Sequence, residues 1–375
     1  MTRIIAFIFS LLFTLPSLAA DIPAPPNVKA KSFILMDFQS GNVLAESNSD
    51  ERVEPASLTK LMTAYVVFKE LHNGDLALDD EVLVSEKAWR TGGSRMFIEV
   101  GNQVKVEDLV RGMIIQSGND ASVALAEHIA GTEETFADLM NREAAALGMD
   151  NSHFVNSMGL PHEEHYSSAR DIALLSAALI RNYPEFYKWY SQLEYTYNDI
   201  RQYNRNRLLR QDDRVDGLKT GYTKAAGYCL ASSAKDGDTR LISVVMGTSS
   251  AKARARESKS LLNYGFRFFE TRKLYAAGQE LKSSKIWKGA KKELSIGVKE
   301  DVFITLPRKA FKSIKAEMVL PKLIEAPIRA GESIGSVEIK QGDEILRKAD
   351  LVALSGVEEG GIVKQLMDSV LLLLE

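Results

Sequence analysis

Ser57 and Lys60 stand three residues apart in the stretch PASLTK, where a helical pattern begins: Leu58, Leu61, Met62, Tyr65, Phe68 and Leu71 recur at helical spacing and Pro55 lies just upstream. Residues three apart on a helix are neighbours. A serine hydroxyl is a poor nucleophile until a base takes its proton, and an amine can serve only when uncharged. Holding a lysine of ordinary pKa neutral at pH 7 costs about 4.6 kcal/mol, so a site that uses Lys60 must lower its pKa by burial, a helix N-terminus or a second cation. The same Ser-x-x-Lys spacing recurs at Ser232 to Lys235 and Ser249 to Lys252. The former ends a strand pattern at a turn and the latter lies in a polar link, so both read as solvated loop residues.

A second cation is available at Lys219 in DGLKTGYT, where a glycine-flanked strand would expose Lys219 and Thr220 on a sheet edge. Ser-Gly-Asn occurs at Ser40 and at Ser117. At Ser40 it joins two strand patterns, where Gly and Asn serve a turn. At Ser117, in IIQSGNDASVALAEH, it interrupts two apolar helices, an unusual place for a polar triplet and one that favours function. His162 and His165 in HEEH lack the spacing of the H-E-x-x-H zinc motif and follow Gly159 and Pro161 in a loop, so they read as surface histidines. No nucleotide-binding glycine pattern follows a strand, and neither a cofactor nor a metal is implied.

Positioning these groups falls to a mixed chain of 375 residues, long enough for two cores. SFILMDF and NVLAES read as a hairpin, GYCLASSAK and TRLISVVMGT as strands joined at Asp236-Gly237, and the stretch from Ser57 to about Ile180 as mostly helical. Within it, Val106, Leu109, Val110 and Met113 mark one helix, and Phe136, Leu139, Met140 and Leu147 another, ended by Gly148. Ser168 with Asp171 caps a third. Strands at the front and back must meet around that block, which gives an α+β domain with a largely antiparallel sheet and an inserted helical block, closed by a helix from about Ala253 to Phe269. Beyond Lys273 short strands separated by Gly and Pro indicate a small all-β domain. The expected organisation is a leader at 1–20, an extended, unpacked lead-in at 21–30, a catalytic domain at 31–272, the β-rich domain at 273–355 and a helix at 356–375.

Arg3, the apolar run IIAFIFSLLFTL and the small residues PSLAA form a secretory signal cleaved after Ala19 or Ala20. Its loss takes the formal net charge from −3 to −4 by removing Arg3. With 26% charged and 45% hydrophobic residues the chain offers no electrostatic case for nucleic acid. Cys229 is the only cysteine, so an exported chain has no internal disulfide. That suits a bacterial periplasm, although composition alone leaves the external medium open. In GIVKQLMDSVLLLLE, Ile362, Val363, Leu366, Val370, Leu373 and Leu374 share one helical face opposite Lys364, Gln365 and Asp368. Fifteen residues of helix reach about 22 Å against a hydrocarbon core of roughly 30 Å, so this helix can lie on a membrane but not cross it. Packing on the protein's own surface or on a second copy is the alternative.

Taken together, Ser57-Leu58-Thr59-Lys60, Ser117-Gly118-Asn119 and Lys219-Thr220-Gly221 resemble, in order and context, the three motifs of serine penicillin-binding proteins and serine β-lactamases. The wording PASLTK, QSGNDA, YSSARD, VDGLKTG and ESKSLLNYGFRFFE is similar to the low-molecular-mass D-alanyl-D-alanine carboxypeptidases, and the resemblance covers essentially the whole mature chain. It implies a β-lactamase-like catalytic fold and an acyl-enzyme on Ser57 formed from a peptidoglycan stem peptide ending in D-Ala-D-Ala, with β-lactams as acylating inhibitors. Lys60 would accept the serine proton, Ser117 would relay a proton to the leaving amine, and Asn119 would orient Lys60 and the substrate amide. Lys219 would keep the field positive, and Thr220 with Arg254 or its near neighbour Arg256 would bind the terminal carboxylate. The N–H groups of Ser57 and Tyr222, beside Gly221, would form the oxyanion hole, and Arg205 would line the site. The family often carries histidine where this chain has Tyr222; the backbone role survives that change.

Two rivals follow from the same residues. A β-lactamase shares the motifs but is normally one domain and needs a deacylating carboxylate near the acyl-serine. An inactive wall-binding or scaffolding protein needs none of the polar groups in working contact.

Overall fold

The computed structural model describes residues 22–373, so the leader expected at 1–20 and Leu374 of the apolar helix face lie outside the described residues. The chain opens with strands β1 (Ser32–Asp37) and β2 (Val43–Ser47), followed by a 3₁₀ turn, Ala56–Thr59, that runs straight into α1 (Lys60–Asn73). A mainly helical block comprises β3 (Glu81–Leu83), α2 (Glu86–Arg90), β4 (Gln103–Lys105), α3 (Val106–Ile115), α4 (Asn119–Ala130), α5 (Glu133–Ala146), α6 (Ala169–Asn182), α7 (Pro184–Tyr187), β5 (Glu194–Tyr197) and β6 (Ile200–Tyr203). Strands β7 (Val215–Thr223), β8 (Gly227–Asp236) and β9 (Thr239–Thr248) lead to α8 (Ala251–Phe268). Then come β10 (Phe269–Tyr275), β11 (Glu280–Lys285), β12 (Glu293–Val298), β13 (Val302–Pro307), β14 (Ile314–Val319), β15 (Ser333–Gln341), β16 (Glu344–Ala353) and α9 (Ile362–Leu372).

Strands distant in sequence pair in one antiparallel sheet of order β2-β1-β9-β8-β7. β1 is buried along its whole length because both faces are covered. Alternate side chains divide accordingly: Ile34 and Met36 join the core under the helical block, while Phe33 and Leu35 join the core under α8. β9 divides in the same way, with Ile242, Val244 and Met246 on one side and Leu241 and Val245 on the other. Helix starts follow from local chemistry, since Ser168 Oγ accepts the Asp171 N–H at 3.1 Å and Ser250 Oγ the Ala253 N–H at 3.0 Å.

Several expectations need correction here. The lead-in is extended but packed: Ile22 and Val28 contribute to the α8-side core and the Tyr264 hydroxyl donates to the Pro23 carbonyl at 3.1 Å. Asp236 still pairs with Thr239, so the loop between β8 and β9 is Gly237-Asp238. Ser232 is buried inside β8 opposite Ser243, because a strand covered on both faces buries every side chain, polar or not.

The second core belongs to a sheet of order β11-β12-β16-β15-β14, with Leu294, Ile296, Val337, Ile339 and Leu351 at its centre. The β10–β13 pair joins it to the first unit, and β10 starts directly after α8. The Ser40 turn is more than a turn. Ser40 Oγ lies 2.8 Å from Thr305 Oγ1, Asn42 Nδ2 donates to the Thr305 carbonyl at 3.2 Å, and Thr271 Oγ1 donates to Asp37 Oδ2 at 2.6 Å, so the β1–β2 loop docks on the β-rich unit.

α9 packs by its polar face. Asp368 accepts the Lys288 backbone N–H at 2.7 Å and the Lys364 ammonium at 2.7 Å, and is itself buried. Ile362, Val363 and Leu373 are left 77%, 72% and 86% exposed. No helix among the described residues is long and apolar enough to cross a membrane.

Candidate active site

Three chain segments converge between the helical block and the free edge of the main sheet. Ser57 sits half-buried in the 3₁₀ turn and Lys60 opens α1, 1% exposed. Lys60 Nζ lies 2.7 Å from Asn119 Oδ1, 2.7 Å from the Met158 carbonyl oxygen and 3.2 Å from Ser57 Oγ. Carbonyl oxygens can only accept, so a neutral amine gives its two N–H groups to Asn119 and Met158 and turns its lone pair to the Ser57 hydroxyl, which donates. Burial above all, helped by the charge of Arg205 and opposed by Asp120 and Glu133, pushes the Lys60 pKa down to about 7.

Ser117 and Asn119 hold the second corner. Ser117 adopts a left-handed φ of +69°, a costly conformation for a serine and a frequent sign of a functional position. Asn119 is fixed at both ends, its Nδ2 donating to the Gly92 carbonyl at 2.7 Å. Asp120, which carried no assignment from the sequence, is buried and accepts the backbone N–H groups of Met96, Phe97 and Ile98, tying the 96–98 loop to the start of α4.

β7 supplies the third corner. Lys219 and Thr220 are on the edge strand as expected, yet both are buried, because the Ser57 turn and the helical block cover that edge. Lys219 Nζ donates to Ser117 Oγ at 2.8 Å and to the Thr220 carbonyl at 3.1 Å. Its pKa is held well below the usual lysine range by burial first, then by the charges of Lys60, Arg205 and Arg254. A Cβ on Gly221 would meet the Pro55 carbonyl oxygen at 3.0 Å and the Ser57 nitrogen at 3.2 Å, so only glycine lets β7 lie this close to the Ser57 amide.

The cavity in front of Ser57, about 360 Å³, is lined by Ser117, Thr220, Tyr222 and Arg254 among others, and none of its lining residues is a carboxylate. Arg254 is 8% exposed, and its Nη1 donates to the Gly221 carbonyl at 2.8 Å. Arg256 turns away to pair with Glu257 at 2.6 Å, so of the two arginines Arg254 serves the pocket. Arg205 lines it as expected, and Arg207, Ser94 and Tyr228 line it unforeseen. The Tyr222 ring lies 4.2 Å from that of Tyr228 at the mouth. A wider cleft of about 550 Å³ beside Asp236–Thr239 holds none of the candidate catalytic or binding residues.

His165 is not a surface residue. It is buried, its Nε2 lies 2.8 Å from Thr59 Oγ1, its Nδ1 accepts the Val155 N–H at 3.1 Å, and burial pushes its pKa down to about 4. His162 remains exposed. The HEEH loop thus braces the nucleophile turn, a role that spacing alone does not reveal because it depends on a contact more than a hundred residues away in the chain.

Fold and site define a serine acyl-transfer enzyme: a hydroxyl beside a buried amine, with a second lysine–serine pair across the cavity. Residues 19–250 match the family described as D-alanyl-D-alanine carboxypeptidase, and residues 269–359 the C-terminal domain of penicillin-binding protein 5. The chain is 43% identical over 360 residues to D-alanyl-D-alanine carboxypeptidase DacA of Escherichia coli K12, covering 94% of this chain and 89% of that protein. It is 43% identical over 376 residues to DacC of the same organism, covering 98% and 94%. Penicillin-binding protein 5 from Haemophilus influenzae superposes with a TM-score of 0.85 at 42% identity, covering 90% of this chain and 100% of that one. Penicillin-binding protein D2 from Listeria monocytogenes, in its ampicillin-bound form, matches with a TM-score of 0.60 at 31% identity over 64% of this chain and 98% of its own. The chain belongs to the D-alanyl-D-alanine carboxypeptidase family.

Proposed function

We propose that this protein is a serine-type D-Ala-D-Ala carboxypeptidase that trims the terminal D-alanine from peptidoglycan stem peptides and is acylated by penicillins. Ser57 Oγ attacks the penultimate carbonyl carbon while its proton passes to Lys60 Nζ. The developing oxyanion meets the N–H groups of Ser57 and Tyr222, each such donor contributing about 10²–10³ in rate. The C–N bond then breaks, the leaving amine takes the Ser117 hydroxyl proton, and that hydroxyl is restored by the proton Lys60 took from Ser57, so Lys60 is neutral again while Lys219 stays beside Ser117 as before. Water, deprotonated by Lys60, then attacks the ester, and Lys60 returns that proton to Ser57 Oγ as the acyl–oxygen bond breaks. Thr220 and Arg254 hold the terminal carboxylate.

The observation that carries this reading is the Lys60 hydrogen-bond set, two carbonyl acceptors and one hydroxyl around an amine whose pKa lies near 7. Mass spectrometry after incubation with benzylpenicillin tests it. A single adduct of the intact antibiotic on the Ser57 peptide is expected; an unmodified protein, or an adduct elsewhere, overturns it.

The location belongs to the same proposal. Export to the periplasm is supported by Arg3, the apolar run and PSLAA, and docking on the outer face of the cytoplasmic membrane by the exposed apolar face of α9.

A further inference from the structure

The cavity carries more positive charge than a single terminal carboxylate calls for. Arg205, Arg207 and Arg254 all line it, without an acidic residue among them. Arg254 is fixed on the floor beside Thr220 by its bond to the Gly221 carbonyl. Arg205 and Arg207 come from a different segment, Asn204-Arg205-Asn206-Arg207, in which the residue types alternate. The asparagines face inward and are buried. Asn204 Nδ2 donates to the Gln192 carbonyl at 2.9 Å, and its Oδ1 accepts the Asn206 N–H at 2.9 Å. Asn206 Nδ2 donates to the Gly217 carbonyl at 2.9 Å and its Oδ1 accepts the Leu208 N–H at 3.1 Å. A backbone pinned in this way sends the alternate side chains, both arginines, to the other side, where they are exposed in the cavity wall. Neighbouring Arg201, Arg210 and Arg214 are engaged by Glu194, the Leu193 carbonyl and Asp212. Arg205 and Arg207 have no ion pair or hydrogen bond among the described residues.

We propose that Arg205 and Arg207 form a second anion subsite next to the terminal-carboxylate site, so that the enzyme releases D-amino acids with an acidic side chain in preference to their neutral isosteres. A guanidinium suits a carboxylate through two parallel hydrogen bonds, and two guanidiniums on a fixed segment leave little freedom to lose on binding. This inference rests on the carboxypeptidase reading of the cavity. Hydrogen bonds to charged groups contribute enough to make the preference about tenfold.

The test compares kcat/KM for three synthetic peptides, acyl-D-Ala-D-Glu, its isostere acyl-D-Ala-D-Gln, and acyl-D-Ala-D-Ala. The expected Glu-to-Gln ratio is about ten in the native protein, falling toward one in Arg207→Gln and, in the native protein, on raising salt from about 0.05 to about 0.5 M. Cleavage of acyl-D-Ala-D-Ala by the variant reports that it is folded, and the salt series needs no variant. A native ratio of one or less, or a ratio that survives both Arg207→Gln and salt, overturns the subsite alone. Failure to cleave all three peptides overturns the carboxypeptidase reading and the subsite with it.

Discussion

The cavity around Ser57 and the outer face of α9 depart from ordinary burial in opposite directions. In the cavity two lysines, a serine and an asparagine are buried; on α9 seven apolar side chains, from Ile362 to Leu373, stand exposed while an aspartate is buried. Folded chains normally bury apolar groups and leave lysine outside, so each region is held against the prevailing gradient by something specific. In the cavity that something is internal, because each of these four side chains has a hydrogen-bond partner on another segment. On α9 it is only half internal. The polar face is satisfied by the β-rich unit, and the apolar face has no partner among the described residues. A buried polar network is complete in the isolated molecule, whereas an exposed apolar stripe is complete only against a second surface.

The sharpest way to break this comparison is to remove the lysine that makes the cavity costly. Lys60→Met is expected to lower kcat/KM for acyl-D-Ala-D-Ala by about 10⁴-fold or more, since the nucleophile loses its base. It is also expected to raise stability at neutral pH, because a methionine has no charge to desolvate. The sign follows from linkage. The Lys60 pKa is depressed from about 10.4 in the unfolded chain to about 7 in the folded one, so between these values the unfolded chain binds more protons. Native stability therefore climbs as pH rises from about 7 toward 10, and falls to its lowest contribution from this residue below 7. Urea denaturation across that window should show a steeper climb in the native chain than in Lys60→Met, where the depressed Lys219 alone still contributes. Equal slopes in both would mean that Lys60 is charged in the folded state.

Two smaller effects test the same cavity. In steady-state kinetics, kcat/KM of the native enzyme should fall about tenfold per pH unit below an apparent pKa near 7, as protonation removes the lone pair facing Ser57. A profile flat from pH 5 to 8 would exclude Lys60 as the base. Arg254→Ala is expected to cost about 10- to 100-fold in kcat/KM through the lost carboxylate contact, with Arg256→Ala within twofold of native. The reverse order would move the carboxylate site to the other side of α8.

How much of this was legible in the sequence depended on whether a residue's role is local. Ser57 and Lys60 were legible because their relation is one turn of helix, and the Ser168 cap because it spans three residues. Lys219 was visible as a strand residue between glycines, but its burial was not, since the cover comes from the Ser57 turn. The choice between Arg254 and Arg256 was open because helical period tells which residues share a face, not which face meets β7. His165 sits in a loop that reads as polar surface, and only its contact with Thr59 gives it a place. Arg207 left a trace in the alternation of Asn and Arg, which has the period of an extended segment with one side pinned. The amphipathic pattern of α9 was plain, while the direction in which its apolar side points was set by Asp368.

The other half of the comparison is tested by separating α9 from its support. Ending the chain after Gly360 should leave penicillin acylation unchanged within twofold and abolish co-sedimentation with phospholipid vesicles, because it removes the exposed stripe with its polar anchor and none of the residues around Ser57. A milder change probes how the stripe is aimed. Asp368 accepts the Lys288 N–H and the Lys364 ammonium, and these bonds fix the rotation of the helix against the β-rich unit. Asp368→Asn keeps the size of the side chain but removes its charge, so one strong acceptor pair becomes a weaker one. Vesicle binding is then expected to weaken severalfold while acylation stays native, and amide exchange in 362–372 should quicken as the helix loosens. Should the variant bind vesicles as tightly as the native chain and exchange at the same rate, the polar anchor would have no part in presenting the apolar face, and the stripe would act by composition alone.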